Sequence, residues 1–148
     1  LTGSAYATDE EYIKDIDIPL QGVKSGAYLR TMTWKELVAE LVGENGTYWA
    51  RKRDYPKAVR YLEKAVAGSP KGAELYEILG HVYMGWARQI KADRDGYAKL
   101  GFRIAELTDH DTSIMQAVEK AKIYDEKAKA LGVAPPLPEN YWLKKSQR

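Results

Sequence analysis

Residues 76–83 read Tyr76-Glu77-Ile78-Leu79-Gly80-His81-Val82-Tyr83, and 34 residues earlier stands Val42-Gly43-Glu44-Asn45-Gly46-Thr47-Tyr48-Trp49. Each stretch carries a glycine with a large apolar residue four positions before it and an aromatic three after it. Between them comes Ala58-x3-Leu62-x2-Ala65-x4-Pro70. A glycine on one helix lets the next helix pack close, small alanines on that helix receive the aromatic ring, and proline ends it so that another hairpin starts. A fixed period of this length is the mark of a stacked helical array.

Working outward, Thr33 with Glu36 three residues on forms a capping box, and Leu37, Val38, Leu41 and Val42 follow at helical spacing. This predicts a helix to about Lys52. Asp54 caps a second helix with Pro56 in its first turn; Val59, Leu62, Ala65 and Val66 form its stripe, and Gly68 and Pro70 stop it. A third helix is expected from about Gly72 to Ala92, a turn at Asp93–Gly96, a fourth helix over 97–107, caps over 109–113, and a fifth helix over 114–131 ended by Gly132. Pro135, Pro136 and Pro138 forbid regular structure until a last turn at Asn140–Lys144. Residues 1–33 differ: Asp9, Glu10, Glu11, Asp15 and Asp17 outweigh Lys14, and Gly3, Pro19, Gly22 and Gly26 break any period. They read as an irregular lead-in, pinned to the body by Tyr12, Ile13, Ile16, Ile18, Tyr28 and Leu29. The expected organisation is a lead-in over 1–33, an all-α domain of antiparallel hairpins over 34–131, and a Pro-rich tail over 132–148.

The 34-residue pattern resembles the tetratricopeptide repeat, with Tyr76 where that family prefers tryptophan. The resemblance implies an α-α superhelix of about five main helices that binds a protein or peptide partner on its inner face. The second repeat departs from the pattern. Its Ala-x3-Phe-x2-Ala element would be Ala98, Phe102 and Ala105, 40 residues after Ala58 instead of 34. Six extra residues are therefore expected near 86–96, and His110 replaces the closing proline. The fifth helix lacks a Leu-Gly element and reads as a cap or a degenerate third repeat. A looser likeness concerns Asp9-Glu10-Glu11-Tyr12, then Gly26-Ala27-Tyr28-Leu29-Arg30, then Asp54-Tyr55. It is similar to the join after the catalytic domain in bacterial transglutaminase-like cysteine hydrolases. That likeness implies an accessory or regulatory region whose catalytic domain lies outside this chain.

Composition excludes several chemistries. The 148 residues contain no cysteine, which removes a thiol nucleophile, a disulfide framework and a thiolate zinc site; two histidines leave no His-rich metal site. Lys plus Arg is 23 against 21 Asp plus Glu, so no basic excess points to nucleic acid. No apolar run approaches the roughly 18 residues of a membrane span, and no signal-peptide pattern is visible. A start at Leu1 and not at Met points to a processed or excised form. The composition, 45% hydrophobic and 30% charged, is that of a soluble globular chain.

The expected site lies on the first-helix face of each repeat: Glu40 and Thr47 from one, Glu74, Glu77, His81 and Met84 from the next. This would be an acidic, partly apolar groove for a basic or mixed peptide. Chaperone-tail capture by the tetratricopeptide carboxylate clamp needs Lys, Asn and Arg there, and Glu74 and Glu77 disfavour it. Arg51, Lys52, Arg53, Lys57, Arg60 and Lys64 form a basic stretch best read as a solvated helix end. Asp109, His110 and Asp111 are neighbours in sequence and read as caps, not as ligands converging on one metal ion. No catalytic residue, cofactor or metal is expected. Two hairpins plus a cap are few for an array that needs about three repeats to bury its core. Help is therefore expected from another domain, a partner chain or self-association.

Overall fold

A computed structural model describes residues 8–101 and 104–134. Among them are six helices and no strand: α1 Asp9–Ile16, α2 Leu20–Ser25, α3 Trp34–Arg51, α4 Tyr55–Gly68, α5 Ala73–Lys99 and α6 Ile104–Leu131. The described residues are all-helical in class, as the periodicity predicts. None of the described helices is long and apolar enough to cross a membrane.

The two hairpin starts follow their local chemistry. Thr33 Oγ1 accepts the Glu36 N–H at 3.3 Å, and the Glu36 carboxylate accepts the Thr33 N–H at 2.8 Å. Arg30 Nη1 adds an ion pair to Glu36 at 2.9 Å. The Thr33 backbone bond, then the Arg30 and Thr33 side chains, hold the Glu36 carboxyl down at about 2. Asp54 accepts the Lys57 N–H at 3.2 Å to start α4, with Pro56 in the first turn, where no amide donor is required.

Helices α3 to α6 pack in chain order, α3 on α4, α4 on α5 and α5 on α6. Glycine sets the approach in the first and third of these pairs. A methyl group at Gly46 would lie 2.5 Å from Leu62 Cγ and 3.2 Å from the Ala58 carbonyl; one at Gly80 would lie 3.2 Å from the Ala121 carbonyl. Ala58, Leu62, Leu79 and Ala121 close the core there, and Leu62 and Leu79 are fully buried. Each such leucine contributes roughly 1.5–3 kcal/mol of transfer free energy.

Three expectations are corrected. First, Gly80 packs on Ala121 of α6, so the segment around Ala98 is not the partner of α5. Ala98 is exposed, and Phe102 and the Ala105 side chain lie outside the described residues. Second, the turn at Asp93–Gly96 and the caps over 109–113 are absent. Helix α5 runs through the former and α6 through the latter, and the reversal falls between Lys99 and Ile104. Tertiary pairing overrides the local turn signals. Lys91 bonds Asp95 at 2.7 Å, one turn along α5, and Arg94 of α5 pairs with Asp111 of α6 at 2.5 Å. Gly101, with φ +86°, supplies the left-handed residue that the reversal needs. Instead of five main helices, the described residues form four long ones and two short ones. Helices α5 and α6 extend past the core as an arm, in which no described residue from Arg88 to Gln116 is buried.

Third, the lead-in is helical at 9–16 and 20–25. Thr8 and Glu11 form a second capping box, and the left-handed Asp17 ends α1. Pro19 precedes α2, where its fixed φ suits a helix start. Ile18 is buried, Ile13 half-buried and Leu29 exposed; the side chains of Tyr12 and Ile16, and the tail from Pro135 with its expected turn at Asn140–Lys144, lie outside the described residues. Residues 17–32 form a strap anchored at the far end of the chain. Gln21 Nε2 donates to the Ala130 carbonyl at 3.2 Å, Ser25 Oγ to the Leu131 carbonyl at 2.6 Å, and the Ala134 N–H to Tyr28 Oη at 2.8 Å.

Candidate functional site

The strap passes the first turns of α3 and α5 and roofs a pocket of about 310 Å³. Tyr28, Arg30 and Met32 line it from the strap, Glu40 from α3, and Gly72 and Glu74 from the start of α5. Two carboxylates thus face one small space. Arg30 is the cation of the lining, and it is already committed to Glu36.

Each acid is placed by the fold. Glu40 is half-buried, and Oε1 accepts the Ser69 hydroxyl at 2.8 Å. Ser69 has no exposed surface, so this bond fastens α3 to the turn between α4 and α5. Glu74 sits in the first turn of α5, where the helix N-terminus favours a negative charge. It nevertheless titrates above the ordinary carboxylate value. Crowding by protein raises it most, the Tyr28 hydroxyl opposes this, and repulsion from Glu40 and Glu77 raises it further. Its carboxylate keeps a solvent-facing side. The Tyr28 phenol is raised too, by burial first, against the Ala134 N–H, with Glu74 and Glu77 adding to the rise.

Of the six residues that the sequence pattern assigns to the site, Glu40 and Glu74 line the pocket, and Glu77, outside the lining, acts on Glu74 and Tyr28 through its charge. The other three stand apart from the pocket lining. Thr47 is half-buried and donates to the Gly43 carbonyl of its own helix at 3.2 Å. His81 is exposed. Met84 is packed against the core cluster. The sequence pattern does not place Tyr28, Arg30 or Met32 at the site; Tyr28 reads from sequence as an anchor, and only the strap's long-range bonds bring it to the carboxylates.

Among the described residues no three His, Cys, Asp or Glu side chains are gathered as a metal site would need. His110 lies beside Tyr97, ring centroids 5.6 Å apart, and Asp111 is taken by Arg94. A second pocket, about 430 Å³, opens at the root of the arm among Tyr83, Trp86, Ile90, His110 and Lys120. Its cation is drawn off by Glu63, 3.5 Å from Lys120 Nζ, and Glu63 also accepts the Tyr83 hydroxyl at 2.8 Å. In the basic stretch, Lys57 Nζ lies 3.2 Å from the Trp49 ring centroid, a cation–π contact that keeps that lysine on its own surface.

Comparison with protein-family models, with curated proteins and with solved structures finds no match to this chain.

Proposed function

We propose that this chain is a non-catalytic interaction module of tetratricopeptide type that holds a basic segment of a protein partner against the acidic pocket under its strap. The repeat reading is supported by two equivalent contacts, Gly46 on Ala58 and Leu62, and Gly80 on Ala121. The binding reading rests on one observation above all: Glu40 and Glu74 line one pocket and repel each other, while the cation of that lining, Arg30, is already paired with Glu36. A lysine or arginine side chain entering the pocket relieves that repulsion and, through its alkyl stem, covers Met32 and Tyr28. Two carboxylates in a pocket also invite a hydrolytic reading, but Glu40 is tied down by Ser69, which favours binding over chemistry. The accessory-region reading, beside a transglutaminase-like catalytic domain, rests on the short motifs at 9–12 and 26–30 alone.

The test is a tagged pull-down from source cells read by mass spectrometry, comparing wild type with Glu74→Lys/Glu77→Lys. Partners lost in the variant, with unchanged circular dichroism, support the reading; an identical captured set overturns it. A cation lowers the Glu74 titration, so binding releases a proton. Affinity therefore falls as the pH is lowered through the raised Glu74 range, and Glu74→Gln removes that dependence.

A further inference from the structure

The pocket at the root of the arm shares no lining residue with the acidic one under the strap. Its volume of about 430 Å³ lies in the range of small-molecule sites, about 300–1,000 Å³. Two helices furnish it unequally. From α5 come Tyr83, Trp86 and Ile90, an apolar wall along one side of the helix, with the Tyr83 and Trp86 rings 6.1 Å apart and 28° from parallel. From α6 come His110, Ser113 and Gln116, polar side chains on successive turns that make the facing edge. Between the two rows Ala117 is buried and lines the pocket, and its single methyl leaves open the space that a larger side chain would fill.

We propose that this pocket binds an uncharged adenine-type heterocycle, as the free base or the nucleoside. The aromatic wall is the first reason, because planar heterocycles stack on tryptophan and tyrosine rings whatever their substituents. Charge is the second. Lys120, the cation of the described lining, already has the Glu63 carboxylate at 3.5 Å, and Glu63 also accepts the Tyr83 hydroxyl. No free cation is left for a phosphate or a carboxylate, so the ligand that fits is neutral. The third is unused hydrogen-bonding capacity. Neither the Ser113 hydroxyl nor the Gln116 amide is engaged by the rest of the protein. His110 Nδ1 is closed to water and has no hydrogen-bond partner. A buried polar atom left unpaired is costly, and a ligand supplies the partner once the imidazole turns toward the pocket. The Gln116 amide presents an acceptor beside a donor. Adenine answers with a donor beside an acceptor, N6–H and N7, whereas guanine offers two acceptors, O6 and N7.

The full chain is titrated with adenosine and with guanosine, followed by calorimetry and by NMR. Adenosine is expected to saturate one site in the micromolar to millimolar range, and guanosine to bind about tenfold more weakly, within the discrimination that a bidentate amide gives. Gln116 is exposed and ties nothing together in the fold, so Gln116→Leu is expected to keep the helical signal while it erases the preference between the two. The chain's two histidines make the location readable. Adenosine is expected to move the imidazole signals of His110 and to leave those of His81, which is outside the lining and is assigned with His81→Gln. An oligoadenylate tests the other source of the same base. Binding no tighter per base than that of adenosine supports a free small molecule. Tighter and steeply salt-dependent binding assigns the pocket to nucleic acid and overturns the proposal. The proposal fails as well if adenosine never saturates, if His110 does not move, or if the preference for adenosine survives Gln116→Leu.

Discussion

Replacing Gly96 by alanine asks whether α5 is one helix or two. Gly96 lies inside α5, three residues before its end, and a methyl group there would meet no atom within 4 Å. Its φ is not among the positive values, whereas that of Gly101 is +86°. Alanine in an exposed helix interior is favoured over glycine by about 1 kcal/mol, and open space at residue 96 leaves no packing cost to set against this. At Gly101 the same methyl group also meets nothing, but the left-handed backbone disfavours any side chain by roughly 1–2 kcal/mol. For a chain of this length 1 kcal/mol moves the melting temperature by about 2–4 °C. Gly96→Ala is therefore expected to raise it by about that amount and Gly101→Ala to lower it by at least as much. Thermal melts followed by far-UV circular dichroism read both, and amide exchange over residues 88–99 reports whether the gain sits in the arm. Because both sites are open, the contrast isolates backbone conformation from packing. A loss at Gly96→Ala matching that at Gly101→Ala would mean a left-handed turn at Asp93–Gly96, and the continuous α5 would be refuted.

Leu62→Ala removes a fully buried side chain lodged against Gly46. A cost of about 2–5 kcal/mol is expected in urea unfolding, and a loss under about 1 kcal/mol would mean that α3 and α4 are not seated as described. Glu36 links folding to pH. Its folded value of about 2 lies below the ordinary 4.5, so the stability it contributes is complete above 4.5 and is lost as the pH falls toward 2. Wild type should lose stability across that window more steeply than Glu36→Gln; parallel curves would remove the capping box from the account of α3.

The parts of the fold that were legible are those held by neighbours in sequence. Thr33 with Glu36, and Asp54 with Pro56, place the starts of α3 and α4, and the 34-residue recurrence of glycine marks the residues that face the next helix. Thr8-x-x-Glu11 carries the same capping signature, but the acidic, glycine-broken stretch around it reads as irregular. The arm escapes a sequence reading for a different reason. Asp93, Asp95, Gly96, Asp109 and Asp111 are turn formers locally, and Arg94 reaches Asp111 only once two long helices lie side by side. The pocket divides in the same way. Glu40 and Glu74 follow from helical spacing, whereas Tyr28 joins them through its bond to Ala134, 106 positions away.

That separation gives the strap a place in the order of folding. Helices α3 to α6 are joined by short connections and can form from contacts close in sequence. The strap's partners, Ala130, Leu131 and Ala134, are 106 to 109 residues from the groups that bond them. Closing so long a loop carries an entropy cost that contacts within the hairpins do not bear. The strap therefore docks last, after α6 has taken its place. Until it does, the acidic groups at the start of α5 stand without their roof, and any partner that reads the finished pocket reads the seating of α6, which it does not touch.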